Sequence, residues 1–176
     1  MMEFDILYGI QNLHNDVLDR IMVFIFNDLV GSKGQIWIVL GAVLLLFRKT
    51  RKTGFCVLAA YGLSYLAGDL LKDWIARQRP CMVDDTVALL IARPGSFSCP
   101  SVHSMLAFAS ASAVFWFHRK TGIAVLIFAA LVAFSRLYFF VHFPTDVLLG
   151  AVLGFVVGTA VSLCAKAVKR KEKART

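Results

Sequence analysis

Apolar runs of bilayer length, each closed at one end by a basic cluster, limit what this chain can fold into more than any other feature. The clusters are Arg48/Lys49/Arg51/Lys52, Arg119/Lys120 and Lys166/Lys169/Arg170/Lys171/Lys173/Arg175. A bilayer core is about 30 Å thick, and a helix crosses it with roughly 20 mostly apolar residues. Of the 176 residues 59% are hydrophobic and 17% charged, which excludes an ordinary soluble domain and predicts an integral membrane protein. The net charge of +8 would suit nucleic acid if it covered a soluble face. It sits instead at the ends of apolar runs, the positive-inside pattern with added attraction to anionic lipid headgroups, so no nucleic-acid partner is expected.

The runs predict an all-α fold, a six-helix membrane bundle preceded by an N-terminal interfacial amphipathic helix. Residues 4–13 put Phe4, Leu7, Ile10 and either Ile6 or Leu13 on one helical face. Spans are expected over 16–31, 35–47, 54–75, 101–117, 122–141 and 144–168. The first is the most polar, with Asp19, Arg20, Asn27 and Asp28. The connection 77–100 is the one long polar loop, and 169–176 reads as a mobile, charged cytoplasmic tail. Glu3 and Asp5 stand where a signal peptide would carry basic residues, so none is expected. No repeat or linker divides residues 1–176, which read as a single transmembrane domain.

If the basic clusters are cytoplasmic, parity brings Lys72, Arg77, Arg79, Ser101, His103, Arg136, His142 and Asp146 to the opposite face. Each has an ordinary alternative. Lys72 and Arg79, seven apart, would lie on one face of a helix end, where long cations commonly snorkel. Ser101 is a good helix N-cap after Pro100, and Asp146 compensates a helix dipole after Pro144. Arg136, inside Phe134-Ser135-Arg136-Leu137-Tyr138-Phe139-Phe140, needs a partner or an aqueous cavity. Together, three cations and a helix N-terminus describe a site for an oxyanion with several oxygens. Two histidines cover the nucleophile or base and the leaving-group acid of phosphoester cleavage, and Asp146 can orient His142.

Lys72-x6-Arg79-Pro80, Pro100-Ser101-Val102-His103 and Ser135-Arg136-x5-His142-x3-Asp146 resemble, in order and spacing, the three-part signature of the type 2 phosphatidic acid phosphatase superfamily. The resemblance implies a metal-independent lipid phosphatase, without cofactor, working through a phosphohistidine. His142 would attack phosphorus, Asp146 would orient it, and His103 would protonate the leaving oxygen and then activate water. Lys72, Arg79, Ser101 and Arg136 would bind phosphoryl oxygens, with main-chain N–H groups near Val102 and His103. The family usually has Gly where this chain has Val102, whose branched side chain must fit beside the phosphate or turn towards lipid.

The N-terminal region is also similar to bacterial undecaprenyl-diphosphate phosphatases of the bacitracin-resistance type. That similarity implies an enzyme of the bacterial cytoplasmic membrane with its active site on the non-cytoplasmic side. Phosphatidylglycerol phosphate, phosphatidic acid and lipid A remain alternative substrates, phosphotransfer to an alcohol an alternative reaction, and an anion transporter a non-enzymatic alternative. Cys81 and Cys99 flank the first two motifs on the side where disulfides persist. They form either a disulfide or two small apolar packing positions, whereas Cys56 and Cys164 read as packing residues. His14 and His118 match no motif and read as interfacial.

Overall fold

The structure, a computed structural model, describes residues 2–173, with side-chain surroundings through Val168. All regular structure among these residues is helical. The helices are α1 (Met2–Gln11), α2 (Asp16–Met22) running into a π-helical segment (Val23–Leu29), α3 (Gln35–Leu46), α4 (Arg51–Ile75), α5 (Pro80–Val83), α6 (Val102–Phe117), α7 (Arg119–Tyr138) and α8 (Pro144–Lys173). Helical segments lie where six spans are expected, but short helices at 2–11 and 80–83 add to that count. By length and hydropathy three stretches suffice to cross a bilayer: Arg51–Val83, Arg119–Tyr138 and Pro144–Val168. Gln35–Leu46 and Val102–Phe117 are apolar but shorter. The expected tail is helical as far as Lys173; residues 174–176 lie outside the described residues.

On α1, Leu7 is buried and Phe4 and Ile10 are half-buried, while Ile6 and Leu13 are exposed. The apolar face thus packs on the protein core, against the turn between α7 and α8: the Phe4 ring lies 5.3 Å from Phe143 and 6.2 Å from Phe140. Asn15 caps α2 by accepting from the Leu18 N–H at 3.0 Å. The π-helical segment has a definite consequence. The Val30 N–H bonds to the Ile25 carbonyl, five residues back, and the Gly31 N–H to Asn27, four back. The change of register passes over the Phe26 carbonyl and leaves it for another donor.

Helix α6 is the centre of the bundle, packed against α4, α7 and α8. Its small residues (Ala107, Ala109, Ser110, Ala111, Ser112, Ala113) are all buried and let neighbouring backbones come close. The closest approach is a glycine ridge on α8. A Cβ at Gly150 would lie 2.5 Å from the Ser101 carbonyl oxygen. One at Gly154 would lie 2.1 Å from that of Met105, and one at Gly158 2.1 Å from that of Ala109. Both rows step by four residues, so a ridge of one helix seats along the other over two turns. At the end of this seam the Ser101 N–H donates to the Asp146 carbonyl at 3.0 Å, tying the two helix starts together.

Gly154→Val should therefore force α8 off α6, with a destabilisation of about 1–3 kcal/mol or more. Gly62→Ala is the control: a Cβ there meets nothing within 4 Å. It should hold or raise stability by about 0.5–1 kcal/mol. Thermal unfolding midpoints in one detergent compare the two; equal midpoints would count against the seam.

Candidate active site

The ends of α4, α6 and α7 and the turn before α8 enclose a cavity of about 590 Å³. Lys72, Arg79, Val102, His103, Arg136 and His142 line it, whereas Ser101 and Asp146 stand behind the wall. Helix α4 does not carry both of its expected cations. It ends at Ile75, where Ala76 turns left-handed (φ 50°), and Arg79 is the extended residue before α5. The two cations converge through this turn rather than along one helical face.

All three cations are nearly buried, and backbone carbonyls and uncharged side chains hold them, not carboxylates. Lys72 Nζ donates to the Phe97 carbonyl. Arg79 donates from Nε to the Ser96 carbonyl at 2.7 Å, from Nη1 to the Val141 carbonyl at 2.8 Å and from Nη2 to the Phe97 carbonyl at 3.1 Å. Arg136 Nη2 donates at 2.6 Å to the Phe26 carbonyl, the one the π-helical segment skips. Arg136 also bonds Ser135 Oγ through Nε and Nη2, which leaves Nη1 unbonded among the described residues. The cations are fixed in place but not neutralised.

His142 follows a turn in which Phe140 adopts a left-handed conformation (φ 56°), costly for a bulky side chain. Phe140 is fully buried beside Phe4 and Tyr8, which hold the turn. Arg79 Nη1 lies 3.1 Å from His142 Nε2. A guanidinium has only donors, so Nε2 carries the lone pair and Nδ1 the proton. Burial pushes the His142 imidazole well below its ordinary pKa; the nearby Asp146 carboxylate opposes this, and the Arg79 and Lys72 charges reinforce it. The ring is neutral, with its lone pair at the cavity wall.

Asp146 Oδ2 lies 3.8 Å from His142 Nδ1, beyond hydrogen-bond reach. Ser98 Oγ fills the gap, 2.5 Å from Asp146 Oδ2 and 3.4 Å from His142 Nδ1. The serine hydroxyl donates to the carboxylate and faces the imidazole N–H. Asp146 Oδ2 also accepts from the Phe143 N–H at 2.9 Å, and Oδ1 from Arg77 Nη1 at 2.7 Å. Arg77 in turn donates to Glu3 at 2.5 Å, so α1 closes the chain Glu3–Arg77–Asp146.

His103 Nε2 lies 3.2 Å from the Gly31 carbonyl, which only accepts. Nε2 therefore carries a proton, and Nδ1 is the ring atom open to proton exchange. Ser101 caps α6: its Oγ accepts from the Ser104 hydroxyl at 3.0 Å and from the Ser104 N–H at 3.5 Å. It does not reach the cavity wall, which Val102 does. The branched side chain of Val102 is accommodated by α4, since a Cβ at Gly68 would lie 3.0 Å from Val102 Cγ2.

Cys81 and Cys99 are both buried free thiols, not the disulfide considered from their positions. Burial and the Asp146 charge push the Cys99 thiol up to about 11, so it remains protonated at ordinary pH. Cys56 is buried and Cys164 exposed. His14 stacks on Tyr138 at 4.1 Å, and His118 lies between α6 and α7, 3.1 Å from Thr53 Oγ1. Both sit away from the cavity.

Sequence reasoning missed Ser98 and Glu3 and gave Arg77 no role. Ser98 stands three residues before Ser101, in the same short segment, and that proximity was the available signal. Nothing local links Glu3 to residue 77 or 146.

Residues 53–170, more than half the chain, match the PAP2 superfamily. An undecaprenyl-diphosphatase of Sulfolobus acidocaldarius is 32% identical over 138 residues, 78% of this chain and 66% of that protein. This chain thus spans about two thirds of that relative's length. The undecaprenyl-diphosphatase BcrC of Bacillus subtilis is 32% identical over 163 residues, 89% of this chain and 81% of its own. The crystal structure of a transmembrane PAP2-type phosphatidylglycerolphosphate phosphatase from Bacillus subtilis superposes with a TM-score of 0.71 at 31% identity. That match covers 97% of this chain and 85% of the other. With the three membrane-length helices, these matches make the chain a multi-pass membrane protein. It belongs to the PAP2 superfamily, as a membrane lipid phosphatase.

Proposed function

We propose that the chain hydrolyses undecaprenyl diphosphate, or a polyprenyl diphosphate like it, to the monophosphate through a phosphohistidine on His142, without a metal ion. The observation that carries this is the His142 Nε2 lone pair at the wall of a cavity whose three buried cations are held by neutral partners. The basic clusters at the far ends of α3, α7 and α8 support a cavity on the non-cytoplasmic side of the cell membrane, with five crossings (α3, α4, α6, α7 and α8). The segment 16–31, expected as a further span, begins beside Tyr138 and ends beside His103, both at the cavity end. Residues 1–176 act as one domain.

His142 Nε2 forms a P–N bond to the terminal phosphorus as the bond to the bridging oxygen breaks. His103, protonated at both nitrogens, gives its Nδ1 proton to that oxygen and keeps Nε2–H on Gly31. Water then attacks phosphorus, His103 Nδ1 takes its proton, and the P–N pair returns to Nε2. Lys72, Arg79 and Arg136 neutralise the equatorial oxygens, and the first-turn N–H groups of Val102 and His103, which have no intrahelical acceptor, add to them. Ser101 acts by capping that turn. Asp146, through Ser98, holds His142 in the Nδ1–H tautomer and stabilises the charge it acquires. The similarity to a phosphatidylglycerolphosphate phosphatase supports a glycerophospholipid monophosphate as the second reading.

His142→Ala should lower phosphate release at least roughly a thousand-fold in folded protein, while a chelator leaves the wild type active. A need for added divalent metal would overturn the mechanism. Phosphate release from polyprenyl diphosphates, phosphatidylglycerol phosphate, phosphatidic acid and lipid A ranks the substrates.

Ser98→Ala should reduce kcat about ten- to hundred-fold, the worth of one hydrogen bond to a charged group, with KM little changed. Ser98→Thr, which keeps the hydroxyl, should recover part of it. A change in KM alone would make Ser98 a packing residue.

Protonation destroys the His142 lone pair, so phosphohistidine formation falls as pH falls. Because burial lowers the proton affinity of His142, that acid limb should lie below the ordinary histidine value of about 6.5. A rapid-quench pH profile measures it, and a limb above 6.5 would contradict the buried, neutral imidazole.

A further inference from the structure

Five cations line the cavity, and the mechanism uses three. The other two, Lys33 and Arg93, are exposed and share the wall with Asp69 as its one carboxylate. Neither makes an ion pair within 4.0 Å among the described residues. Among the same residues the Lys33 side chain has no hydrogen bond, and Arg93 has only a 3.9 Å contact from Nη1 to Met82 Sδ. Both hang from segments that already position the buried site. Lys33 lies in the turn between Gly31 (φ 82°) and Gly34 (φ 66°), whose Gly31 carbonyl holds His103. Arg93 lies three residues before Ser96, in the strap whose Ser96 and Phe97 carbonyls hold Arg79 and Lys72.

We propose that Lys33 and Arg93 form a second phosphoryl subsite at the cavity mouth, for the leaving phosphate of a diphosphate. This rests on the phosphatase reading above and specifies its substrate class. In-line attack by His142 sends the leaving group to the opposite side of phosphorus, where His103 meets the bridging oxygen. Lys33 is on the turn bonded to His103, on the leaving side. When the bridging P–O bond breaks, its electron pair stays on the departing phosphate, and the His103 proton offsets only part of that charge. Cations placed there are worth more in the transition state than in the bound diphosphate. A monophosphate ester leaves as an alcohol and carries no second phosphate for them to hold.

The test compares wild type with the double variant Lys33→Gln/Arg93→Gln on a polyprenyl diphosphate and on the monophosphate of the same chain, in one detergent. The ratio of the two kcat/KM values should fall roughly ten-fold, the scale of charge-assisted contacts at a partly solvated site. Calorimetry with inorganic pyrophosphate and inorganic phosphate supplies an arm independent of turnover. The variant should lose several-fold more affinity for pyrophosphate than for phosphate. An unchanged substrate ratio, or equal loss for both anions, overturns the subsite and reduces the pair to general attraction. If wild type released phosphate from neither lipid while the anion affinities still diverged, the reaction proposed above would fail and the subsite would stand.

Discussion

The seam between α6 and α8 is the contact on which the rest of this structure depends. Between apolar helices in lipid the hydrophobic effect supplies little attraction, so close van der Waals packing must hold them together. Three glycines at four-residue spacing meet three carbonyls at the same spacing, bringing two backbones closer than any Cβ would allow. The consequence is chemical as well as mechanical. Both helices start at the cavity, and the Ser101 N–H to Asp146 carbonyl bond fixes one start against the other. His103 in the first turn of α6 and His142 just before α8 are thereby placed at one cavity by main-chain contact, which side-chain rotation does not loosen.

Charge is distributed unevenly around that cavity. The one buried carboxylate among the described residues, Asp146, is fully engaged by Arg77, Ser98 and the Phe143 N–H. The buried cations face neutral carbonyls instead, which orient them without cancelling their field. Three uncompensated charges at low dielectric oppose folding, and an arriving phosphoryl group relieves that cost. The protein therefore has a built-in preference for polyanions at this cavity. The π-helical segment belongs to the same design: one shift of hydrogen-bond register frees the Phe26 carbonyl at the place where Arg136 needs an acceptor.

What could be read from the sequence follows the range of the interactions. His142 and Asp146 are four apart, Ser101 and His103 two apart, and each pair belongs to one helix start, so spacing alone brought them near the site. The apolar runs located the main helices because length and hydropathy are local properties. Lys72 and Arg79 were placed in the site for a geometric reason that does not hold, since Ala76 ends the helix between them. Gly150, Gly154 and Gly158 recur every four residues, a spacing the sequence reading did not use because only the partner helix gives it meaning. Glu3 and Arg77 are 74 residues apart, and no local pattern announces their contact. The free thiols of Cys81 and Cys99 show the opposite case, where closeness to adjoining motifs suggested a bond that the structure does not form.

Val102 shows how a departure from the family pattern is absorbed. A glycine at this position would leave the first turn of α6 bare, and the valine instead fills part of the cavity wall. Its extra volume does not displace α4, because Gly68 faces Val102 Cγ2 where any larger residue would crowd it. The main-chain N–H at 102 keeps its place in the first turn, since helical backbone angles suit valine as well as glycine. Val102 is therefore accommodated at Gly68, and the first-turn N–H groups stay where a helix start puts them. The apolar branch lines the cavity wall without adding a competing hydrogen bond.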